Sequence, residues 1–188
     1  MTTGRPDDAG SELRLFYALW PDEPMRARIA AAAAALPPAA AQRPVSRGNY
    51  HVTLAFVGAV PGARLDELRL LGRAVQATRC TLVFDAYEYW PKPEVVVAVA
   101  RVIPAALELA WSALHRHLAE AHFELAPKRL RPHISLARKV TQAPVLPAMS
   151  AFCWTPETLC LVRSETVGAE SVYTVVDTWQ LLDEATRT

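Results

Sequence analysis

Two short segments hold residues that could do chemistry as a pair. Asn49-Tyr50-His51-Val52-Thr53-Leu54-Ala55-Phe56 and Arg131-Pro132-His133-Ile134-Ser135-Leu136-Ala137-Arg138 both contain His-(Val/Ile)-(Thr/Ser)-Leu-Ala, one in each half of the chain. Side chains of a strand alternate faces, which predicts that His51, Thr53 and Ala55 share one face against Val52, Leu54 and Phe56. His133 and Ser135 likewise oppose Ile134 and Leu136. Each unit is then an apolar anchor that holds an imidazole beside a hydroxyl. Two such units facing one groove suit attack on a phosphodiester without a metal. A neutral imidazole takes a proton from water while an imidazolium protonates the departing oxygen on the far side of phosphorus, and histidine reaches both states near neutrality. The hydroxyls donate to the non-bridging oxygens as their charge grows. A single strand histidine is ordinarily a packed or surface residue; duplication with the same alternation is what sets this pair apart.

Supporting residues lie close by in sequence. Arg138 closes the second segment, and strict alternation puts it opposite His133, so it reaches the groove only if the strand ends or bulges there. Arg131 is in phase with His133, though Pro132 intervenes, and it serves equally well as a loop charge. Phe16 and Tyr17 point to opposite faces, so one of them lines the groove and could stack on a base while the other is core. Arg47 and Asn49 could meet backbone phosphate or simply serve their loop. His115, His117 and His122 have no carboxylate or cysteine to complete a metal set and read as surface residues; Trp90, Trp111 and Trp179 read as packing.

The elements that must position these groups alternate along the chain. A short apolar run at 13–19 predicts a strand ended by Pro21-Asp22. An alanine-rich helix over 25–36 follows Pro24 and stops at Pro37-Pro38. A strand at 50–57 is closed by Gly58, and leucines at helical spacing mark 64–76. Strand runs at 80–90 and 95–102 flank Pro91-Lys92-Pro93, a hairpin turn. Leu107, Trp111, Leu114 and Leu118 share one face of a helix over 105–121. Strands at 133–138, 158–163 and 173–181 complete the chain. The mixture of hairpins and helices favours an α+β architecture with antiparallel or mixed sheets over a doubly wound parallel sheet. Neither GxGxxG nor GxxxxGK[ST] is present, so dinucleotide and P-loop sites are not supported.

The 188 residues suit one domain or two lobes sharing a core, and 52% hydrophobic content excludes a mainly disordered chain. A formal charge of +1 excludes a protein that coats nucleic acid but allows a local cationic cleft. Three cysteines without CxxC argue against a disulfide framework and for a reducing, cytoplasmic setting. No apolar run approaches the ~20 residues that a bilayer needs, so no membrane role is expected. Residues 1–11 read as a flexible tail ahead of one bilobal unit at 12–188.

The paired motifs resemble those of the two-histidine (2H) phosphoesterase superfamily, and most closely the RNA 2′,3′-cyclic phosphodiesterase family, also called 2′-5′ RNA ligases. Besides the two histidine blocks, Arg14 to Leu19 resembles the family's first strand. Leu161-Val162-Arg163-Ser164-Glu165 with Gly168 and Tyr173 resembles its closing segment, at slightly longer spacing. The resemblance implies a bilobal, pseudo-twofold α+β fold whose sheets flank a central cleft, with helices outside. It implies metal- and cofactor-free hydrolysis of a terminal 2′,3′-cyclic phosphate on RNA ends or nucleotides to a 2′-phosphate, with reverse 2′-5′ ligation as a minor activity. By analogy His51 protonates the 3′ oxygen and His133 activates water, an order that the sequence leaves open. Thr53, Ser135, Arg138, Arg131 and Phe16 would hold the substrate, and the protein would act as a monomer. Two alternatives stand beside this: a module of the same fold that binds RNA ends or nucleotides without turnover, and a phosphodiesterase for another nucleotide diester.

Overall fold

The computed structural model describes residues 10–125, 129–168 and 170–183. Strand β1 (Glu12–Leu19) alternates between two apolar surfaces: Leu13, Leu15, Tyr17 and Leu19 enter the main core, while Phe16 and Ala18 join Cys160 and Val162 on the opposite face. With both faces covered, β1 takes an inner position in a four-stranded sheet. The order is β10 (Glu170–Gln180), β9 (Thr158–Val167), β1, β3 (Val52–Pro61), every neighbour antiparallel. A second antiparallel sheet runs β2 (Arg43–Pro44), β7 (His133–Arg138), β6 (Val95–Val99), β5 (Ala86–Trp90). Its inner strand β6 is valine-rich and entirely buried, as a strand packed on both faces must be. A short ribbon pairs β4 (Leu82–Phe84) with β8 (Phe152–Trp154).

The three α-helices among the described residues lock the sheets together. Helix α1 (Glu23–Ala34) is capped by Asp22, whose carboxylate accepts from the Met25 amide at 2.9 Å, and carries a proline in its first turn. Tyr87 on β5 donates to the Ala32 carbonyl at 2.7 Å, so α1 bears on the second sheet although it follows a strand of the first. Helix α2 (Leu65–Ala74) packs on β9 and β10, and the buried Tyr17 hydroxyl donates to its Leu68 carbonyl at 2.6 Å. Gly72 faces the Trp179 ring so closely that a Cβ there would come within 2.4 Å of it. Helix α3 (Ala105–Glu120) buries Leu107, Ala110, Leu114 and Leu118 and packs against α2 and β3.

Antiparallel sheets on an α+β frame match the expected fold class, and the 91–94 turn is the expected hairpin. Four elements differ. The strand expected at 50–57 begins at Val52, leaving His51 in the approach to it. The run at 80–90 divides at Asp85, where the chain passes from the β4–β8 ribbon into the second sheet and the carboxylate holds Arg101 at 2.8 Å. Strand β8 and the two-residue β2 are too short to leave a periodic signal. Most of the expected 1–11 tail lies outside the described residues; Ser11 is fastened, its carbonyl accepting from Gly62 at 2.8 Å.

Candidate active site

The two motifs share more than their residues. Each strand bulges at its leucine. On β3, Ala18 pairs with Thr53 and Tyr17 with Ala55, so Leu54 is the extra residue. On β7, Val97 pairs with Ser135 and Val96 with Ala137, so Leu136 is extra. Leucine and the following alanine are therefore both buried in each repeat, and the phase of the strand reverses after them. Phe56 and Arg138, five residues beyond the histidines, swing onto the histidine faces. For Phe56 this overturns the strict alternation expected from sequence; for Arg138 it supplies the bulge that the expectation required.

Each histidine is held by the carbonyl two residues before it. His51 Nδ1 lies 2.7 Å from the Asn49 oxygen and His133 Nδ1 lies 2.7 Å from the Arg131 oxygen. A carbonyl can only accept, so both rings carry a proton on Nδ1, and the lone pair of each neutral ring is on Nε2. Nε2 of His51 meets the Thr53 hydroxyl at 3.0 Å. Burial pushes the His51 pKa down to about 4, outweighing its bond to Asn49; the charges of Arg138 and His133 lower it further. His51 in the free protein is thus neutral at pH 7, and Thr53 donates to it.

Packing behind the two rings is unequal. His51 is 9% exposed and enclosed by Phe16 (ring centroids 5.0 Å), Trp20 (stacked, 5.6 Å) and Tyr173 (edge-on, 5.3 Å). His133, half-buried, packs against Trp90 with ring centroids 4.4 Å apart. Beneath them lie two small apolar clusters on the cleft faces of the sheets, one built on Phe16, Ala18, Cys160 and Val162, the other on Val95, Val97 and Val99.

The expected site residues divide into those that face the cleft and those that support it. Thr53, His133, Ser135 and Arg138 line one cavity of about 580 Å³, and His51 joins it through Thr53. Phe16 does not present a stacking face: at 3% exposure it is packed between His51 and Phe56 and serves as the floor of the His51 ring. Arg131 also borders the cavity, but its guanidinium lies over Trp90 at 4.7 Å and pairs with Glu88 at 2.6 Å, so its charge is already engaged. Arg47 turns to Glu23 at 2.7 Å, and the Asn49 amide donates to the Ser171 carbonyl at 2.7 Å. His115 is not a surface residue: its ring lies 4.1 Å from Trp111, and Nε2 donates to the Leu54 carbonyl at 3.1 Å.

Sequence reasoning missed Trp20, Tyr173, Phe56 and His115. For Phe56 the signal was present, since Leu54-Ala55 are two consecutive apolar residues where an alternating strand would have one. Trp20 lies just past the end of β1 and Tyr173 on β10, and nothing local announces their convergence on His51. Among the described residues no three His, Cys, Asp or Glu side chains are grouped as metal ligands, and no helix is long and apolar enough to cross a membrane.

Comparison with known proteins places this geometry. Residues 19–99 match the family model described as LigT like Phosphoesterase. The chain is 31% identical over 182 residues to an RNA 2′,3′-cyclic phosphodiesterase of Thermus thermophilus, covering 92% of each protein. A crystal structure described as a phosphoesterase superposes with a TM-score of 0.84 at 28% identity, over 92% of this chain and 99% of that one. LigT of E. coli in complex with 3′-AMP superposes with a TM-score of 0.81 at 28% identity, over 92% and 99% of the respective chains.

Proposed function

Because the chain belongs to the LigT-like phosphoesterase family, we propose that it is an RNA 2′,3′-cyclic phosphodiesterase that opens the cyclic phosphate at an RNA 3′ end to a 2′-phosphate. The observation that carries this reading is the pair of identically bulged motifs, each presenting an imidazole Nε2 with its Nδ1 proton fixed by a carbonyl. Water attacks phosphorus in line with the P–O3′ bond, and one Nε2 removes the water proton. As P–O3′ breaks, the other Nε2–H delivers a proton to O3′, leaving a 2′-phosphomonoester and a free 3′-hydroxyl. Thr53, Ser135 and Arg138 stabilise the non-bridging oxygens as charge accumulates there. Each turnover leaves one ring with a proton gained and the other with a proton lost, and exchange with solvent restores them. A 5′-hydroxyl in place of water would follow the same steps, forming the new P–O5′ bond as P–O3′ breaks, and would leave a 2′-5′ phosphodiester, which is ligation.

The family resemblance gives His51 the acid role and His133 the base role. Without substrate, burial holds His51 neutral, so in that role it gains its proton as the anionic phosphate enters, whose charge favours the imidazolium. The direct experiment is a product assay on adenosine 2′,3′-cyclic phosphate in the presence of chelator. Adenosine 2′-phosphate is the expected product; the 3′-phosphate, or activity abolished by chelator, contradicts the mechanism.

A further inference from the structure

In both lobes the residue two before the histidine is joined to an edge strand of a sheet. Its carbonyl accepts the Nδ1 proton, and its side chain reaches across to that strand. In the first lobe the Asn49 amide donates to Ser171 on β10 at 2.7 Å. Tyr173, two residues along β10, packs edge-on against His51 at 5.3 Å. In the second lobe the Arg131 guanidinium donates to Glu88 on β5 at 2.6 Å. Trp90, two residues along β5, packs on His133 at 4.4 Å. Each edge strand thus supplies a tether and a ring to one imidazole.

The tether of the second lobe is a carboxylate. Strand register sets Glu88 opposite Val97 and Val97 opposite Ser135, so Glu88 stands two strand spacings, roughly 10 Å, from the motif hydroxyl's strand. It meets the motif through its neighbours. One oxygen, Oε2, accepts both from Arg131 at 2.6 Å and from the Trp90 indole N–H at 2.7 Å. The guanidinium in turn lies over that indole at 4.7 Å. Arg131, Glu88 and Trp90 therefore close a triangle, and two of its corners touch His133: the Arg131 carbonyl at 2.7 Å and the Trp90 ring. Local backbone bonding leaves work for such a tether, because Pro132 accepts from the Ala100 amide through its carbonyl at 3.0 Å but has no N–H to give. The Arg131 and Glu88 side chains are 58% and 33% exposed, so their ion pair adds little to stability. Its contribution is direction.

We infer that Glu88 is a positioning residue for His133. By holding the guanidinium and the indole on one oxygen, it fixes the carbonyl and the ring against which the imidazole rests, and so keeps Nε2 aimed into the cleft. For its effect on turnover this inference rests on the phosphodiesterase reading above.

Glu88→Ala, Glu88→Gln, Arg131→Ala and the double variant Glu88→Ala/Arg131→Ala test it on adenosine 2′,3′-cyclic phosphate. Glu88→Ala is expected to lower kcat about tenfold, as a slight misplacement of a catalytic group does, and to move KM less than about twofold. Glu88→Gln keeps an oxygen that can accept twice and is expected to recover most of the loss. The double variant is expected to lose far less than the product of the two single losses, since both act through one triangle. Nitrogen-15 spectra of the histidine rings, at a pH where both are neutral, give a readout that needs no turnover. Glu88→Ala is expected to raise the Nε2–H share of His133 and leave His51 unchanged. Unaltered kcat in Glu88→Ala, a glutamine variant as slow as the alanine one, losses that multiply, or an unmoved His133 tautomer each overturn the role. If no cyclic phosphate is opened but the tautomer shifts at His133 alone, the phosphodiesterase reading fails and the positioning role stands. If turnover proceeds and Glu88→Ala changes neither kcat nor the tautomer, the positioning role fails and the phosphodiesterase reading stands.

Discussion

Acidification should expose the cost of enclosing His51. The ring carries a pKa of about 4 in the folded protein and about 6.5 in the unfolded chain. Above pH 6.5 it is neutral in both states and adds no pH dependence. Between 6.5 and about 4 the unfolded chain holds a proton that the folded protein refuses, so stability falls as pH falls; below 4 both states are protonated and the loss is complete. A gap of that size, at about 1.36 kcal/mol per pH unit, corresponds to roughly 3 kcal/mol in full and about 2–3 kcal/mol by pH 4.5. Urea unfolding of the unaltered protein and of His51→Gln, at steps from pH 7.5 to 4.5, isolates this contribution. The carboxylates and the other histidines titrate in both proteins and cancel in the comparison. The unaltered protein should lose about 2–3 kcal/mol more than the variant across that range. Parallel pH profiles would refute the burial argument. The His51 ring resonances give an independent check, since they should titrate near 4 in the free protein and higher once phosphate is bound.

Other perturbations address the chemistry and the frame. His51→Ala and His133→Ala should each lower kcat by about 10²–10⁴-fold. A substrate with sulfur in place of O3′ needs no acid, so it should rescue His51→Ala and not His133→Ala if the roles follow the resemblance; rescue of His133→Ala alone reverses them. Arg138→Gln should weaken turnover and also raise the His51 titration midpoint, because the Arg138 charge opposes protonation there; an unmoved midpoint would place the guanidinium elsewhere. Gly72→Ala should cost about 1–3 kcal/mol in thermal or urea unfolding through collision with Trp179; full stability would show that the indole can retreat.

How far the sequence could be read follows from the range of the interactions involved. Helices α1, α2 and α3 lie within two residues of their expected bounds because prolines and leucine spacing are local signals. The strand β7 was legible to the residue, from His133 to Arg138, since Pro132 starts it and Lys139, left-handed, ends it. What escaped was whatever depends on a second strand. A bulge is a property of a ladder, so the exposure of Phe56 could not follow from alternation along β3 alone. The demotion of Phe16 from ligand surface to buried floor has the same origin: Phe56 closes over it from the adjacent β3 and Tyr173 from β10, two strands away. Arg131 was in phase with His133, yet Glu88 and Trp90, two strands away, decide where its guanidinium goes.

The repeat also bears on why the two lobes differ. A duplicated motif with duplicated bulges and matching Nδ1 carbonyl bonds would, left alone, give two imidazoles of equal basicity. General acid–base catalysis needs them unequal, because one must hold a proton while the other accepts one. The scaffold is alike in both lobes down to the bulged leucine, so the inequality has to come from the few positions where they depart. Phe16, Trp20 and Tyr173 enclose His51, whereas Trp90 packs on His133, and the residue five beyond the histidine is Phe56 on one strand and Arg138 on the other. The first difference lowers the proton affinity of His51 through burial. The second gives one wall of the cleft to an apolar face and the other to an anion. Removing the enclosure alone, as in Trp20→Ala, should therefore draw the His51 titration back toward 6.5 while leaving its bond to Asn49 in place.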